Sequence, residues 1–353
     1  MKHRFMLSLF LCLMVLPAIA LAEIEVHFLD VGNADATIIL ADDYTIVIDG
    51  GESDSSQLIY SYLRNTLNIE HIDIVIATHP HSDHIGGLSA VFNACSVDRI
   101  YSAVPMYNQD GSLSYDSREF QSLVKYASKQ DLSFTLPSAG EQIQLGSLTI
   151  EFINSGYEGN LSGFSNSQIN NLSLIVRLVY GETSFLFSGD AEWDGEYLAV
   201  SSAGGELRST IFHAGHHGSY TSSNTFFLQE VEPSYVIISC GIENKYGHPA
   251  PETLSRFQLL PVPVLRTDLS GTIICRSDGA EISFRTQDNT EIELIQEEKE
   301  NDSSYYVGNR NSKRFHYPEC FSVSDMKEKN KVILPTREDA ISNGYKPCGE
   351  CQP

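Results

Sequence analysis

The chain of 353 residues is strongly acidic, with 46 aspartates and glutamates against 23 lysines and arginines. A surface of this charge repels polyanions, which argues against tight nucleic-acid binding driven by counterion release. No apolar run beyond the N-terminus is long enough to span a bilayer, and the length suits one large domain followed by a smaller one.

Residues 1–22 have the composition of a secretory signal peptide. Lys2 and Arg4 give a positive start, residues 5–16 form an apolar segment too short to span a bilayer comfortably, and residues 20–22 (Ala-Leu-Ala) suit cleavage. We therefore expect a secreted bacterial protein, with surface or cell-wall association as a further expectation and no stable membrane insertion after cleavage. An uncleaved membrane anchor is the alternative.

The next segment predicts a β meander whose turns carry carboxylates. Strand patterns bounded by turn residues occupy residues 24–29, 36–40 and 44–48. The turns that follow the first and third strands contain Asp30, Asp35 and Asp49.

Residues 72–77 predict a buried strand that ends in a cluster of metal-ligand side chains. The loop after it contains His79, His81, Asp83 and His84, and predicted helices at 55–68 and 88–94 flank the two elements. Neutral imidazole nitrogen together with carboxylate oxygen suits zinc, manganese or iron. A polar loop that is merely rich in histidine is the alternative.

The His-x-His-x-Asp-His spacing resembles the signature of the metallo-β-lactamase superfamily, and the resemblance extends over most of residues 24–285. It implies an α/β fold, the αββα four-layer sandwich, which would hold two divalent metal ions, zinc or manganese. His79 and His81 would hold one ion, and Asp83 and His84 the other.

Within that superfamily, the opening turns resemble the soluble domain of ComEC-type DNA-uptake proteins. The resemblance implies that Asp30, Asp35 and Asp49 lie near the metals and orient the ligating imidazoles. Ordinary turn aspartates are the alternative.

The middle of the chain departs from the wider family. A strand at 98–104 and a helix at 118–129 are predicted, but no histidine occurs between His84 and His213, where metallo-β-lactamases normally supply a third ligand to the first metal. Asn171 and Ser173 stand ahead of the next strand instead, as in ComEC-type domains. The first metal is thus left short of a protein ligand.

A predicted hairpin, residues 172–180 and 183–187, ends at Asp190, which by resemblance bridges the two metals. A helix at 194–202 follows. A strand at 210–212 then delivers His213, His216 and His217 to a second loop. We favour His216 as the ligand that completes the cluster and His217 as a substrate contact or proton shuttle.

A strand at 235–239 leads into a loop with the sequence Lys245-Tyr246-Gly-His248-Pro. By resemblance His248 is a ligand or a substrate contact, while Lys245 and Tyr246 offer a cation and a phenol to an anionic oxygen. A helix at 252–260 and strands at 264, 271–276 and 280–285 complete the domain. Asp83, His217 and His248 are the candidates for direct catalytic roles.

The C-terminal residues predict a separate metal-stapled module. An acidic linker at 286–304 precedes residues 305–353, which are near neutral in charge and contain His316, Cys320, Cys348 and Cys351. These four soft ligands suit one structural zinc, which a module of this size needs because its core is small. The segment resembles the zinc-binding module of Ada-type proteins, with His316 in place of a cysteine. A disulfide is the alternative.

These features predict a metal-dependent hydrolase in which a metal-bound hydroxide attacks the substrate. By resemblance, the first hypothesis is a phosphodiesterase or nuclease that acts on extracellular DNA. The second keeps the site and changes the substrate to a small phosphodiester of the phosphorylcholine type, a lactone or a β-lactam. The third is a secreted DNA- or wall-binding protein with a vestigial centre.

Overall fold

The computed structural model describes residues 23–353 apart from residues 261, 293, 295–304, 319, 325, 350 and 352. The predicted signal peptide therefore lies outside the described residues. Among the helices that the structure describes, none is long and apolar enough to cross a membrane.

The first sheet has eight strands and carries the predicted meander. The strands are β1 (Ile24–Phe28), β2 (Thr37–Ala41), β3 (Tyr44–Ile48), β4 (His71–Ala77), β5 (Ser96–Ser102), β6 (Phe134–Thr135), β14 (Ile273–Ser277) and β15 (Ile282–Thr286). Their spatial order is β15-β14-β1-β2-β3-β4-β5-β6. Neighbouring strands are antiparallel from β15 to β3 and parallel from β3 to β6.

The second sheet has seven strands in the order β13-β12-β11-β10-β9-β8-β7, and β10 to β13 run parallel. Its strands are β7 (Gln142–Leu145), β8 (Leu148–Phe152), β9 (Val176–Tyr180), β10 (Thr183–Phe187), β11 (Ile211–His213), β12 (Tyr235–Ile238) and β13 (Val264–Arg266). Both sheets therefore contain a parallel part in which strand ends meet at one edge.

Helices cover the outer faces of both sheets, which gives the predicted αββα four-layer sandwich. The sheets share one core, in which Phe28 of β1 stacks on Phe187 of β10 with 6.0 Å between ring centroids. The helices are α1 (Ser56–Ser61), α2 (Ser82–Ile85), α3 (Leu88–Ala94), α4 (Arg118–Ser128), α5 (Asn166–Asn170), α6 (Trp193–Ala203), α7 (Thr225–Val231), α8 (Pro251–Gln258) and α9 (Thr267–Ser270). Apolar residues of α1, α3 and α4 belong to the same continuous buried cluster as the two sheets. Apolar residues of α6, α7 and α8 form a separate cluster with strands of the second sheet.

The C-terminal module is a small four-stranded sheet in the order β18-β16-β17-β19. Leu259, directly after α8, packs against the module's own apolar cluster and joins the two parts. The module's elements are β16 (Tyr306–Asn309), β17 (Arg314–His316), α10 (Phe321–Ser324), β18 (Lys331–Leu334), α11 (Arg337–Ser342) and β19 (Lys346–Pro347).

The elements predicted for the larger domain occur in the structure, but one strand is shorter than predicted. The strand predicted from residue 172 starts only at Val176, because residues 170–173 form a turn after α5. The β7–β8 hairpin, β6, α2, α5, α7, α9 and the elements of the C-terminal module were not predicted. In addition, Thr286 closes β15, and Ile292 and Leu294 pack against the shared core, so the first part of the predicted linker belongs to the larger domain.

The glycine pair after the ligand loop allows an unusually close backbone approach. The Gly87 amide donates to the carbonyl of Gly51, and a methyl group on Gly87 would overlap the carbonyl oxygen of Gly50. The Gly50 amide in turn donates to the carbonyl of His84 at 2.6 Å. The loop after β3 and the ligand loop after β4 are therefore locked together.

Gly87→Ala is expected to destabilise the protein by about 3 kcal/mol, because the overlap is with backbone that cannot move aside. The control is Gly140→Ala, where no atom would meet the methyl group and only the positive φ of 78° resists the change. That control should cost about 1 kcal/mol. Chemical denaturation of both variants checks the difference, and equal losses would contradict the close-approach argument.

Candidate metal centre

The predicted ligands meet because they follow strands whose carboxyl ends face each other across the sandwich. The loop after β4 brings the first histidines, the loop after β10 brings Asp190, and the loop after β11 brings His216 and His217. Carboxyl ends of parallel strands lie on the same edge of a sheet, so two such edges assemble one site.

One group of donor atoms consists of Asp83, His84, Asp190 and His217. One ligand atom from each lies within 4.8 Å of all the others. The Nε2 atom of His84 is 3.0 Å from Asp190 Oδ1, and the Nε2 atom of His217 is 3.4 Å from Asp83 Oδ2. This set of two imidazoles and two carboxylates is a complete tetrahedral ligand set for a divalent ion.

A second group consists of His79, His81 and Asp190. Here the other oxygen of Asp190, Oδ2, lies 3.6 Å from His79 Nε2 and 3.6 Å from His216 Nε2. His216 therefore lies near the first metal position, for which the sequence between His84 and His213 supplies no histidine ligand. Asp190 faces one donor group with each oxygen, which is the geometry of a bridging carboxylate.

The residues present fit a pair of metal ions. Among the described residues, several buried side-chain atoms of the cluster have no partner in hydrogen-bond geometry: His81 Nε2, His84 Nε2, His217 Nε2 and Asp190 Oδ1. Buried polar atoms without partners are costly, and a cation would satisfy them together. Zinc and manganese both suit this mixture of imidazole and carboxylate.

Asp49 orients His84 from behind. Its Oδ2 atom lies 2.8 Å from His84 Nδ1, and its carboxylate also accepts hydrogen bonds from the Thr78 amide at 2.8 Å and the Thr78 hydroxyl at 2.6 Å. An acceptor at Nδ1 holds the proton there, so Nε2 keeps its lone pair for a metal.

His217 donates from Nδ1 to the backbone carbonyl of Ser239 at 3.2 Å, and the same nitrogen lies beside Asp35. The Oδ1 atom of Asp35 lies 3.2 Å from His217 Nδ1, and its Oδ2 atom lies 3.8 Å from His213 Nδ1. His213 itself is buried and bonds through Nε2 to the Ser239 hydroxyl at 2.8 Å, so it belongs to the support of the site.

The electrostatics of the cluster favour a neutral His79 and an ionised Asp190. Burial and the adjacent His84 hold the pKa of His79 well below its usual range. Burial would raise the pKa of Asp190, but the surrounding imidazoles hold it well below its usual range. Burial lowers the pKa values of His84 and His217, but the nearby aspartates raise both well above the usual range, so metal binding to these two would displace a proton from each.

The structure separates the remaining predicted residues into those near the cluster and those away from it. Ser173 accepts a hydrogen bond from the Asp190 amide at 3.0 Å and so fixes the bridging residue. Asn171 instead accepts bonds from the amides of Glu192 and Gly195, so it caps the start of α6. Asp30 accepts only a 3.4 Å bond from Gly32 among the described residues and makes an ordinary turn.

Asn170 was not singled out from the sequence, although it lies beside the cluster. It is buried and donates to Glu192 Oε1 at 2.9 Å. Glu192 also lies 3.6 Å from His216 Nδ1. The only sequence signal for Asn170 was the polar pair Asn170-Asn171 at a helix end. That pair did not indicate which of the two asparagines faces the cluster.

His216 and His217 differ in exposure, and both contact Asp190. His217 is buried within the four-donor group, whereas His216 is partly exposed on the other side of the carboxylate. The favoured assignment of His216 as ligand stays a prediction. The structure adds His217 to the donors, so its predicted role as a substrate contact or proton shuttle does not suit its position.

His248 lies at the mouth of the cluster. Its ring centroid is 5.5 Å from that of His216, and Tyr246 stacks on it at 5.8 Å. The Nζ atom of Lys245 lies 4.8 Å from the centroid of the exposed Tyr246 ring. Burial and the neighbouring imidazoles lower the pKa of His248 to about 4.

The C-terminal module holds a separate donor cluster. His316, Cys320, Cys348 and Cys351 are buried, and one ligand atom of each lies within 4.8 Å of the others. The three cysteines are free thiols in the structure. One imidazole and three thiols close a tetrahedron, which is the donor set of a structural zinc site.

Comparison with known families agrees with both parts of the chain. The family model described as the metallo-beta-lactamase superfamily matches residues 29–242. The chain belongs to the metallo-β-lactamase superfamily. A second model, the metal binding domain of Ada, matches residues 292–353. The predicted family, the sandwich and the C-terminal zinc-binding module are thereby confirmed, and the larger domain has the metal-hydrolase fold of its family.

Named relatives are similar over the larger domain. Competence protein ComA of Neisseria gonorrhoeae is 27% identical over 251 residues, which are 71% of this chain and 32% of the relative. ComE operon protein 3 of Bacillus subtilis is 27% identical over 71% of this chain and 33% of the relative. The chain therefore spans about a third of the length of these curated relatives.

A solved structure to which the chain is similar is the metallo-beta-lactamase fold protein YhfI from Bacillus subtilis. The similarity covers 72% of this chain and 100% of YhfI, at 13% identity and a TM-score of 0.47.

Asp49→Asn is expected to weaken metal binding by about 10- to 100-fold, because an amide cannot hold the His84 proton as firmly as a carboxylate. Titration with a competing chelator measures the affinity. Asp30→Asn is the matched control and should bind metal as the unaltered protein does. Equal weakening in both variants would contradict the assignment of Asp49 to the cluster and Asp30 to a turn.

Cys351→Ser is expected to lower the zinc content by one equivalent per chain, measured by elemental analysis. Cys95→Ser is the control, because the Cys95 sulfur only donates to the carbonyl of Ile69. Unchanged zinc in Cys351→Ser, together with fewer titratable thiols in the unreduced protein, would instead establish the disulfide alternative.

Proposed function

We propose that this protein is a secreted, metal-dependent phosphodiesterase that cleaves extracellular DNA. The observation that carries the proposal is the position of Asp190 between two donor groups, one on each carboxylate oxygen. A pair of ions held on the two sides of Asp190 would suit in-line displacement at phosphorus, because both the attacking and the leaving oxygen could then be stabilised. The relatives named for competence support DNA as the substrate class.

Bound divalent ions would supply Lewis acidity, which activates water and neutralises charge on the phosphate. The chain's own residues position the reaction. Asp35 and Asp49 fix the orientation of His217 and His84, and Ser173 fixes Asp190. His248 faces the open side of the cluster, where it contacts the substrate, and Lys245 with Tyr246 binds a non-bridging phosphate oxygen.

The charge of the chain limits the mode of DNA binding. With an overall charge of −23, the protein does not hold a duplex through many phosphate contacts. An enzyme that turns over needs only local contacts at the scissile phosphate. The near-neutral C-terminal module and the metal ions are the places where the charge permits such contacts.

Labelled single-stranded and double-stranded DNA should be cut when Mn²⁺ or Zn²⁺ is supplied and left intact in excess chelator. Asp190→Asn should lower the rate by about 100-fold or more, the size of effect seen when one electrostatic stabiliser is lost. Asp43→Asn is the control, because Asp43 is exposed and lies away from the cluster. Gel or fluorescence assays measure the rates.

The same protein should be assayed on a lactone, a β-lactam and a small phosphodiester. Faster turnover of a lactone or β-lactam than of DNA would reject the nuclease proposal and retain the hydrolase. Metal binding without hydrolysis of any of these substrates would favour a binding protein with a vestigial centre.

A further inference from the structure

A cavity of about 280 Å³ lies between the larger domain and the C-terminal module. Two aromatic side chains on its wall, Trp193 and Tyr220, are exposed by 55% and 62%. The rest of the lining consists of Asn224, Glu252, Ser255, Arg256 and Leu259 of the larger domain and of Cys320, Ser322 and Cys351 of the module. The cavity therefore combines flat apolar faces with a few hydrogen-bonding groups, which is the composition of a site for a planar polar ligand.

The wall that carries Tyr220 is held rigidly. Arg256, on α8, donates to the carbonyl oxygens of Tyr220 at 2.6 Å, Ser222 at 2.5 Å and Ser223 at 2.9 Å. From the other side the buried Glu196 accepts bonds from the amides of Ser223 and Asn224, at 2.5 and 3.0 Å. A buried guanidinium and a buried carboxylate thus fix the backbone of this loop.

The second aromatic wall is also supported. The ring of Trp193 packs edge-on against Phe226 with 4.8 Å between centroids. Because the Tyr220 backbone and the Trp193 ring are both held by neighbouring residues, less ordering is required when a ligand binds against these two side chains.

The cavity lies next to the metal centre. Trp193 is three residues beyond Asp190 and Tyr220 is four beyond His216, so each is within about 10 to 14 Å of the cluster even for an extended chain. The Thr221 hydroxyl, adjacent to Tyr220, bonds to His216 Nδ1 at 3.3 Å. A strand with one phosphate at the metals can therefore reach the cavity within a few nucleotides.

We propose that this cavity binds an unpaired nucleobase of the substrate strand. The proposal rests on the proposed nuclease function and narrows its substrate to single-stranded DNA. Bases stack on aromatic side chains with about 1–3 kcal/mol each, and stacking needs no positive charge. A strongly acidic protein can hold DNA in this way, through its bases. The Glu252 carboxylate accepts bonds from the amino groups of cytosine or adenine, while the Arg256 guanidinium on the same wall is bonded to backbone carbonyls of the Tyr220 loop.

Trp193 is the only tryptophan in the chain, so its fluorescence reports on this cavity directly. We would titrate the Asp190→Asn variant, which prevents turnover, with a single-stranded deoxycytidine decamer and with a duplex of the same length. The single strand should quench the emission in a saturable manner, whereas the duplex should not. No quenching, or equal quenching by both, would overturn the proposal.

Steady-state kinetics test the cavity in the active protein. Tyr220→Ala should raise KM for the single strand by about 10-fold, which corresponds to the loss of about one stacking contact. Tyr220→Phe should restore it, and hydrolysis of a small phosphodiester should be unchanged in both. Tyr197→Ala is the control, since Tyr197 is 57% exposed on the same helix as Trp193 and does not line the cavity.

The outcomes separate the two proposals. Quenching without cleavage of any diester would reject the nuclease function and keep the base-binding cavity. Cleavage of DNA with no quenching, and with an unchanged KM in Tyr220→Ala, would reject the cavity and keep the nuclease.

Discussion

The site depends on one buried carboxylate that is shared between two groups of donors. Asp190 turns Oδ1 toward His84 and His217 and Oδ2 toward His79 and His216. A buried charge is tolerated only when it is paired, and here four imidazoles surround it. Each loop that contributes a histidine is therefore tied to the same residue, and the two sheets are joined at their strand ends through it.

Further aspartates extend this arrangement outward. Asp49 and Asp35 stand behind His84 and His217, so the two buried imidazoles lie between carboxylates on both sides. Carboxylate, imidazole and metal in line is a common arrangement that fixes the ring and raises its basicity. These buried aspartates are also part of the chain's excess of acidic residues, and they lie where cations are expected rather than on the surface.

Helix α8 connects the metal centre with the C-terminal module. The helix begins three residues after His248, Thr253 and Arg256 on it hold the loop that follows His217, and Leu259 just beyond it packs on the module's cluster. The module is thus positioned against the edge of the active site. Its small core, whose four donor side chains suit one zinc ion, provides one wall of the cavity beside Trp193.

The sequence by itself determined the family, most strand and helix positions, and the ligand types, because apolar periodicity and a closely spaced His-x-His-x-Asp-His loop are local features. The tertiary structure decided which neighbouring residue faces the metals. His216 and His217 both have positive φ, 52° and 54°, a conformation that sequence patterns do not reveal and that the surrounding contacts must stabilise. Likewise, only tertiary contacts direct Asn170 to Glu192, which lies beside His216, and Asn171 to the start of α6, since these partners are distant in sequence.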